Sequence, residues 1–267
     1  MALLEMRDIN HFFGGLQAVH HFNLNLQEGE LQGLIGPNGA GKTTIFNLVS
    51  GFYAPTEGEI LFQGKNIAGF RPHKVTSLGM GRTFQNIRLW NSMSVLENLC
   101  ISQYCRLGYG LIDSILLTRR YREQERRVRQ AAREIMGILH LENYAQEYPK
   151  NLPYGLQRRV EIGRALVMQP KLLLLDEPAA GMNPSEIDSL IELVLWLKER
   201  FKLTIWLIEH QMRVVMTLCD WIKVLDFGKI IAEGPPSLIR QDQRVIKAYL
   251  GEEEETALGE EGEAAHA

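Results

Sequence analysis

The clearest chemistry in the sequence lies in a glycine-rich loop that follows an apolar run at 31–35. Residues 36–44 read Gly-Pro-Asn-Gly-Ala-Gly-Lys-Thr-Thr, a G-x-x-x-x-G-K-T spacing typical of a phosphate cradle. Its glycines allow successive backbone N–H groups to point at a polyphosphate. Lys42 would add a positive charge for the β- and γ-phosphates, and the Thr43 hydroxyl would reach Mg²⁺. The predicted nucleotide-binding residues of the loop are Gly36, Pro37, Asn38, Gly39, Ala40, Gly41, Lys42, Thr43 and Thr44.

Two adjacent carboxylates, Asp176 and Glu177, end a second apolar run that begins at Leu172. Successive strand residues point in opposite directions, so the two side chains can serve different roles. Asp176 would lie opposite Thr43 and hold Mg²⁺ through water, while Glu177 would orient and polarise an attacking water. Alone, the pair could be a charged strand end, but beside a phosphate loop it indicates hydrolysis of a bound phosphate.

Short apolar runs predict the elements that position these groups. The runs at 31–35, 171–176 and 203–208 are typical of strands buried on both faces. Residues 184–200 have helical spacing, and the order strand, helix, strand predicts a parallel sheet. The chain up to about Gln85 predicts strands and turns around one helix, and a late hairpin is expected over 221–232.

Residues 87–160 change character and predict a helical insertion into this α/β core. Its long helical pattern over 119–139 is rich in arginine with interspersed glutamate, which favours a solvated helix face. Aromatic residues do not interleave these arginines beyond Tyr121, so no nucleic-acid partner is expected. The glutamate-rich segment at 251–267 predicts a disordered acidic tail.

The composition of the chain limits the classes of protein to which it can belong. The chain has 267 residues, 45% of them hydrophobic, and a formal net charge of −3, so it can form a full core but carries no global basic field. Three cysteines without metal-site spacing predict buried thiols in a reducing compartment. No apolar run approaches the roughly 18 residues needed to span a bilayer, and the N-terminus does not resemble a signal peptide. We therefore expect a cytosolic chain that meets membranes through another protein.

In their order along the chain, these motifs resemble the ATP-binding cassette family, the nucleotide-binding subunits of ABC transporters. Residues 36–44 match its Walker A loop, and 172–177 match Walker B with the catalytic glutamate. Residues 152–159 occupy the place of the signature motif, and 180–183 that of the D-loop. The resemblance spans residues 3–250. It implies an α/β, P-loop (RecA-like) fold with an N-terminal antiparallel β subdomain and an inserted α-helical subdomain.

The resemblance also implies roles for isolated residues. Gln85 matches the Q-loop glutamine that meets Mg²⁺ and the attacking water, although by itself it could be an ordinary exposed glutamine. His210 matches the switch histidine that bonds the γ-phosphate. Phe13 is the candidate for stacking on adenine, with Phe12 as the alternative, and Phe13 could also be a core residue. The implied catalytic residues are Glu177 and His210, and the implied metal contacts are Thr43, Gln85 and Asp176.

The signature departs from the family pattern. Pro153 replaces the usual serine, Tyr154 the middle glycine and Leu156 the terminal glutamine. Pro153 has neither a hydroxyl nor a backbone N–H, so one bond to a nucleotide across a dimer is lost. Gly155 and the following helix N-terminus remain as anion-binding groups.

Several local strings, at 13–19, 82–86, 177–184 and 246–251, resemble LivG-type cassettes of branched-chain amino acid importers. Importers of urea or amides are close relatives, so the solute stays open. The resemblance implies ATP and Mg²⁺ as cofactors and ATP hydrolysis coupled to transport at the cytoplasmic face of the inner membrane. The implied partners are a second cassette (identical or LivF-like), two membrane-spanning permease subunits and, indirectly, a periplasmic binding protein. Candidates for an apolar groove that receives a permease helix are Leu89, Trp90, Met93 and Val95, although ordinary packing would explain each equally well.

Two other classes fit less well. ABC-type ATPases that act on DNA need a long coiled coil in the insertion, and those that act on ribosomes usually carry two cassettes. A degenerate, non-hydrolysing partner cassette is disfavoured by intact Lys42, Asp176, Glu177 and His210, while Pro153 and Leu156 argue weakly for impaired action on the nucleotide of a partner.

Overall fold

The computed structural model describes residues 2–249, apart from the side chain of Arg106. The tail predicted at 251–267 lies outside these residues. The strands are β1 (Ala2–Phe13), β2 (Leu16–Gln27), β3 (Leu31–Ile35), β4 (Glu57–Phe62), β5 (Lys65–Asn66), β6 (Met80–Arg82), β7 (Leu172–Asp176), β8 (Thr204–Ile208), β9 (Trp221–Asp226) and β10 (Lys229–Gly234). The helices are α1 (Lys42–Val49), α2 (Pro72–Ser77), α3 (Val95–Ile101), α4 (Leu111–Ile115), α5 (Arg119–Ile138), α6 (Tyr154–Leu166), α7 (Pro184–Phe201), α8 (Met212–Leu218) and α9 (Pro236–Ile239). Residues 243–249 are also helical.

A six-stranded sheet in the order β10-β9-β3-β8-β7-β6 forms the centre of the fold. All its neighbouring strands pair in parallel except β10, which is antiparallel to β9. Strands β7 and β8 keep one register along their length, with Leu172 opposite Thr204 and Asp176 opposite Ile208. The predicted parallel sheet is therefore confirmed, and the segments that follow β3, β7 and β8 all leave from the same edge.

Both faces of this sheet are covered, which explains why its strands are apolar throughout. In β7, Leu173 and Leu175 pack into a core shared with α3, α5, α6 and α7, while Leu172 and Leu174 pack into a second core on the opposite face. The alternation follows from the period of two along a strand.

The N-terminal region forms the second layer over this second core. Strands β2-β1-β4-β5 make an antiparallel sheet, as expected. The buried Trp206 ring of β8 lies 4.8 Å from Phe46 of α1 and 6.3 Å from Phe22 of β2, measured between ring centroids. The prediction of one helix before Gln85 is wrong, because α2 follows α1. This helix has six residues, too short to give a helical period in the sequence.

Between β6 and β7 the described residues form helices and loops, as the predicted insertion requires. The helix predicted over 119–139 is α5, which buries one face of its C-terminal half at Val128, Ala132, Ile135 and Met136. In the part of the chain that the structure describes, no helix combines the length and apolarity needed to cross a bilayer. Cys100 and Cys219 are buried, but the prediction that all thiols are buried is wrong for Cys105, which is exposed.

Candidate functional site

The phosphate loop connects β3 to α1, and its glycines are required by its geometry. Gly36 and Gly41 have φ of 148° and 102°, where other residues are strained. A Cβ at Gly36 would lie 2.0 Å from the Leu225 carbonyl oxygen, and one at Gly41 would lie 2.8 Å from that of Ala18. The loop is thus a cradle packed closely against β9 and β2, where a side chain at Gly36 or Gly41 would clash with their carbonyl oxygens.

Lys42 begins α1 and is buried with its charge inside this cradle. Its Nζ donates to the carbonyl oxygens of Gly36, at 2.6 Å, and Pro37, at 2.7 Å. Thr43, the next residue, is exposed at the helix start. The ammonium and the hydroxyl therefore occupy one end of the loop, where the positive end of the helix dipole also lies.

Two contacts from distant parts of the chain brace the loop, a third bond holds one of these partners, and sequence reasoning missed all three. The Gly36 N–H donates to the Tyr249 hydroxyl at 2.9 Å. The Gly228 N–H donates to the Ala40 carbonyl at 2.8 Å, while the Gly228 carbonyl accepts from the His20 N–H at 2.9 Å. The turn at Gly228 was predicted, but its contact with the loop has no local sequence signal.

Asp176 ends β7 as a buried carboxylate with a cation beside it. Arg82 Nη2 donates to its Oδ2 at 2.8 Å, and the Asp176 N–H donates to the Thr83 hydroxyl at 3.3 Å. Arg82 also donates through Nη1 to Asn47 and Ser50 of the α1 region. Burial lowers the pKa of the Arg82 guanidinium, and Asp176 opposes that shift. Sequence reasoning missed Arg82, although it stands three residues before Gln85.

Glu177, Gln85 and His210 form a polar cluster just beyond the sheet edge. Gln85 Nε2 donates to Glu177 Oε2 at 2.7 Å, and His210 Nδ1 lies 3.7 Å from the same oxygen. Glu177 has φ of 45°, an uncommon conformation for a residue with a Cβ, and its N–H donates to the Ile208 carbonyl. The structure thus brings together three side chains that lie far apart in sequence.

Glu209, which precedes His210, is a further residue that sequence reasoning missed. Its buried carboxylate accepts from the N–H groups of Ala179, His210 and Gln211 at 2.9–3.1 Å. It therefore fixes the loop after β8 against the loop after β7, which sets the position of the imidazole relative to Glu177.

Arg158 connects the segment around Gln85 to helix α6. Its guanidinium is fully buried and donates to the carbonyls of Phe84 and Gln85 at 2.8 and 3.1 Å, to Glu161 at 2.6 Å and to the Tyr154 hydroxyl. The Phe84 N–H donates back to Glu161 at 3.1 Å. Burial raises the pKa of the Glu161 carboxyl, and Arg158 opposes this shift. The backbone of the Gln85 segment is thus fastened to the helix that carries the signature.

Phe13 and Phe12 are both partly exposed at the end of β1. The Phe13 ring contacts the rings of His11 and Tyr53 edge-on, with centroids 4.7 and 5.4 Å away. The β1–β2 hairpin to which they belong reaches the phosphate loop at Ala18. Phe13 therefore belongs to an aromatic cluster on a hairpin that borders the cradle.

The signature forms the start of α6, with Pro153 as its N-cap residue and without a side-chain capping bond. Pro153 and Tyr154 are exposed there and Gly155 is half-buried. The first N–H groups of an α-helix have no partner within the helix, so this end of α6 can bind an anion. The D-loop precedes α7, whose first turn is closed by reciprocal bonds between Asn183 and Glu186.

The four residues proposed for a groove lie in three different places. Leu89 and Trp90 line a cavity of about 560 Å³ together with Phe84, Arg88 and Arg164. Met93 lines a different, smaller pocket. Val95 is fully buried in the core, so its assignment to the groove is wrong and its apolar character reflects packing.

Among residues 2–249, no group of three or more His, Cys, Asp or Glu side chains is arranged to hold a metal ion. Mg²⁺ is usually held by one or two protein oxygens plus substrate phosphates. Thr43, at the end of the phosphate loop, and Asp176, at the end of β7, can supply such oxygens. The donor set therefore fits a magnesium–nucleotide complex and the activation of a water.

Comparison with protein-family models gives two matches. A model described as ABC transporter matches residues 19–180. A model described as branched-chain amino acid ATP-binding cassette transporter matches residues 229–255.

Curated relatives and solved structures agree with these models. The chain is 42% identical over 250 residues to the high-affinity branched-chain amino acid transport ATP-binding protein BraF of Pseudomonas aeruginosa, covering 94% of this chain and 98% of BraF. It is 44% identical, with the same coverage, to the corresponding protein LivG of Escherichia coli. The ADP conformation of MJ1267, an ATP-binding cassette of an ABC transporter, superposes with a TM-score of 0.82 at 32% identity, covering 94% of this chain and 99% of that one.

Proposed function

The chain belongs to the ABC transporter family as an ATP-binding cassette with ATPase activity, and we propose that it powers a branched-chain amino acid importer. The observation that carries the catalytic part of this proposal is the cluster of Glu177, Gln85 and His210 at the edge of the sheet from which the phosphate loop also leaves. The match at 229–255 and the two relatives support the choice of solute. The cassette comprises residues 3–250, with its helical subdomain at about 87–160.

In this proposal the loop N–H groups and Lys42 bind the phosphates of ATP, and Phe13 stacks on adenine. Glu177 accepts the proton of the water that attacks the γ-phosphorus, and Gln85 orients Glu177 and this water. His210 donates to a γ-phosphate oxygen. ATP is thereby converted to ADP and phosphate, and the positive φ of Glu177 aims its carboxylate away from the strand.

Thr43, Gln85 and Asp176 would hold Mg²⁺, with Asp176 acting through water. Bound there, the ion would neutralise charge on the β- and γ-phosphates. Arg82 holds one oxygen of Asp176, which orients the carboxylate and keeps its charge compensated within the buried strand end.

ATP binding closes this cassette on a second one, either identical or LivF-like. The N–H groups at the start of α6 meet the γ-phosphate of the nucleotide on the partner cassette, and hydrolysis cleaves off this phosphate, so the pair can reopen. Two permease subunits receive the movement, and a periplasmic binding protein supplies the solute to them. The cassette therefore works peripherally, on the cytoplasmic face of the inner membrane.

The proposal is tested by reconstituting the chain in vesicles with the permease subunits, second cassette and binding protein encoded beside it. We expect ATP-dependent uptake of labelled leucine that excess isoleucine or valine suppresses. A transporter assembled with the Glu177→Gln chain should bind leucine through its binding protein but accumulate far less. Uptake of urea or acetamide with no uptake of leucine would overturn the assigned solute, and leucine uptake independent of ATP would overturn the assigned role.

A further inference from the structure

A short apolar segment projects from the helical insertion. Helix α4 and the two residues after it read Leu-Ile-Asp-Ser-Ile-Leu-Leu over residues 111–117, here called the apolar segment. Its aliphatic side chains are mostly in solvent. Their exposed fractions are Leu111 77%, Ile112 74%, Ile115 70%, Leu116 68% and Leu117 50%. Several neighbouring, highly exposed aliphatic side chains mark an interaction surface.

Polar contacts, not burial of these aliphatic groups, hold the apolar segment in place. Asp113 accepts from the Gly110 N–H at 3.2 Å and from the Thr118 hydroxyl at 2.9 Å, so its carboxylate fixes both ends of α4. Tyr109 stacks edge-on against Tyr121 of α5 at 5.1 Å and donates its hydroxyl to Glu125 at 2.7 Å. The segment is therefore attached to α5 while its aliphatic groups stay free for another surface.

The surroundings of the apolar segment are basic although the chain as a whole is acidic. Residues 109–129 contain six arginines and three acidic residues, a net charge of +3, whereas the whole chain carries −3. Two of the acidic side chains already accept hydrogen bonds: Glu123 from Arg127, and Glu125 from Tyr109. The exposed arginines are Arg119, Arg120, Arg122, Arg126, Arg127 and Arg129. Positive charge thus borders the aliphatic groups directly, since Arg119 follows Leu117 by two residues.

This combination matches the chemistry of an anionic bilayer surface. Aliphatic side chains can enter the boundary between headgroups and acyl chains, while arginines bind lipid phosphates. A single-stranded nucleic acid would instead need aromatic stacking platforms beside the charges, and the apolar segment has aliphatic groups. A purely apolar protein partner would explain the aliphatic groups but not the excess of arginine around them.

We propose that the apolar segment is an interfacial membrane anchor, which inserts its aliphatic side chains into an anionic bilayer beside the transporter. The flanking arginines bind the lipid phosphates, so this cassette contacts lipid directly as well as through the permease. The inference goes beyond the proposed function and does not depend on which solute is transported. It revises the expectation that membrane contact is made only through another protein.

The test measures how much of the purified full-length chain sediments with vesicles of phosphatidylcholine, with and without about 30% phosphatidylglycerol, in the absence of permease. We expect clear binding to the anionic vesicles and much weaker binding to the neutral ones. The triple variant Ile112→Ser/Ile115→Ser/Leu116→Ser should bind at least about tenfold less, because little apolar surface remains to insert. Arg119→Gln/Arg120→Gln should lose about fivefold per arginine on anionic vesicles. It should change little on neutral ones.

Phe227→Ser is the matched control, because Phe227 is 82% exposed but lies in the β9–β10 turn, far along the chain from the apolar segment. It should bind vesicles like the original chain. Since all these side chains are already in solvent, the variants should keep the original melting temperature and ATP hydrolysis, which separates this inference from the proposed function. The inference is overturned if the original chain does not bind anionic vesicles, if the triple variant binds equally well, or if binding appears only in vesicles that contain the permease. It is also overturned if the triple variant changes only self-association in solution.

Discussion

At the scale of single residues, the catalytic assignment depends on one oxygen atom. Glu177 Oε2 accepts from Gln85 and lies 3.7 Å from His210, so a single carboxylate oxygen is shared by two side chains from different loops. The other oxygen of the carboxylate is then the natural proton acceptor for a water. The uncommon backbone conformation of Glu177 is consistent with a functional position, because such strain is retained mainly where a side chain must be aimed.

Replacing Glu177 with glutamine tests this assignment with little change in shape. The amide oxygen can still accept from Gln85, but it is a very weak base. We expect ATP binding close to that of the original chain and a turnover lower by about 100-fold or more. Calorimetry would measure the affinity for ATP, and the rate of phosphate release would measure the turnover. Phosphate release near the original rate would show that another group accepts the proton.

The Lys42→Ala change tests the cradle itself. The Lys42 ammonium is the positive charge that the side chains supply inside the loop, and its two bonds to loop carbonyls also brace the backbone. We expect loss of measurable ATP affinity in titration calorimetry, with the fold retained by circular dichroism because α1 stays packed through its apolar face. Lys65→Ala, at an exposed position in β5, serves as the control and should bind ATP normally. Tight binding by Lys42→Ala would contradict the role of the loop.

At the scale of elements, Arg158 and Glu161 attach the Gln85 segment to α6, so movement of one carries the other. Both groups are buried, and removing one partner of such a pair is costly because the other charge remains uncompensated. Arg158→Met should therefore lower the free energy of unfolding by about 3 kcal/mol near neutral pH. It should also weaken the response of ATPase activity to the permease.

The free energy of unfolding that Arg158→Met loses should depend on pH. Burial raises the pKa of Glu161 in the folded chain, and removing Arg158 removes the charge that opposes this. The folded state then binds more protons than the unfolded one, so stability falls as pH rises from the ordinary carboxyl pKa through the raised one. Urea unfolding should show a smaller deficit at about pH 5 than at about pH 8. In Arg158→Met/Glu161→Gln that pH dependence should largely vanish, and its persistence would assign it to another group.

Local patterns predicted the elements of this molecule better than the contacts between them. Some elements have a periodicity, composition or motif spacing that is visible within a dozen residues. These are the loop at 36–44, the buried strands β7 and β8 and the helix α7. Arg158, Glu209 and Tyr249 carry no such signal. Each binds a segment that lies 30 to 213 residues away, and an arginine or tyrosine in a helix is usually solvated. Gln85 and His210 could be chosen only through the order of the family motifs.

At the scale of the whole molecule, hydrogen bonds connect the cluster of Glu177, Gln85 and His210 to the wall of the cavity that Trp90 lines. Glu177 contacts Gln85, the backbone of Gln85 is held by Arg158, and Arg158 pairs with Glu161. Glu161 lines the same cavity as Trp90, together with Arg164, which donates to the Arg88 carbonyl. A change at Glu177 can thus reach the wall of the cavity through a chain of hydrogen bonds that includes the backbone of Gln85, and such a connected network is the physical requirement for coupling to a permease.

Trp90 tests whether this cavity is the docking site of the permease helix. Its indole is half exposed, while its backbone is held by Asn98, so the side chain can be replaced without disturbing the loop. Trp90→Asp should retain ATP binding and melting temperature but lose the permease during purification, because a charge would then face an apolar helix. Trp196→Asp is the control, since Trp196 is similarly exposed on α7, outside this cavity, and should leave assembly intact. If Trp90→Asp copurifies with the permease as well as Trp196→Asp does, the helix must dock elsewhere, and the contacts from Glu177 to the cavity would serve stability and not transport.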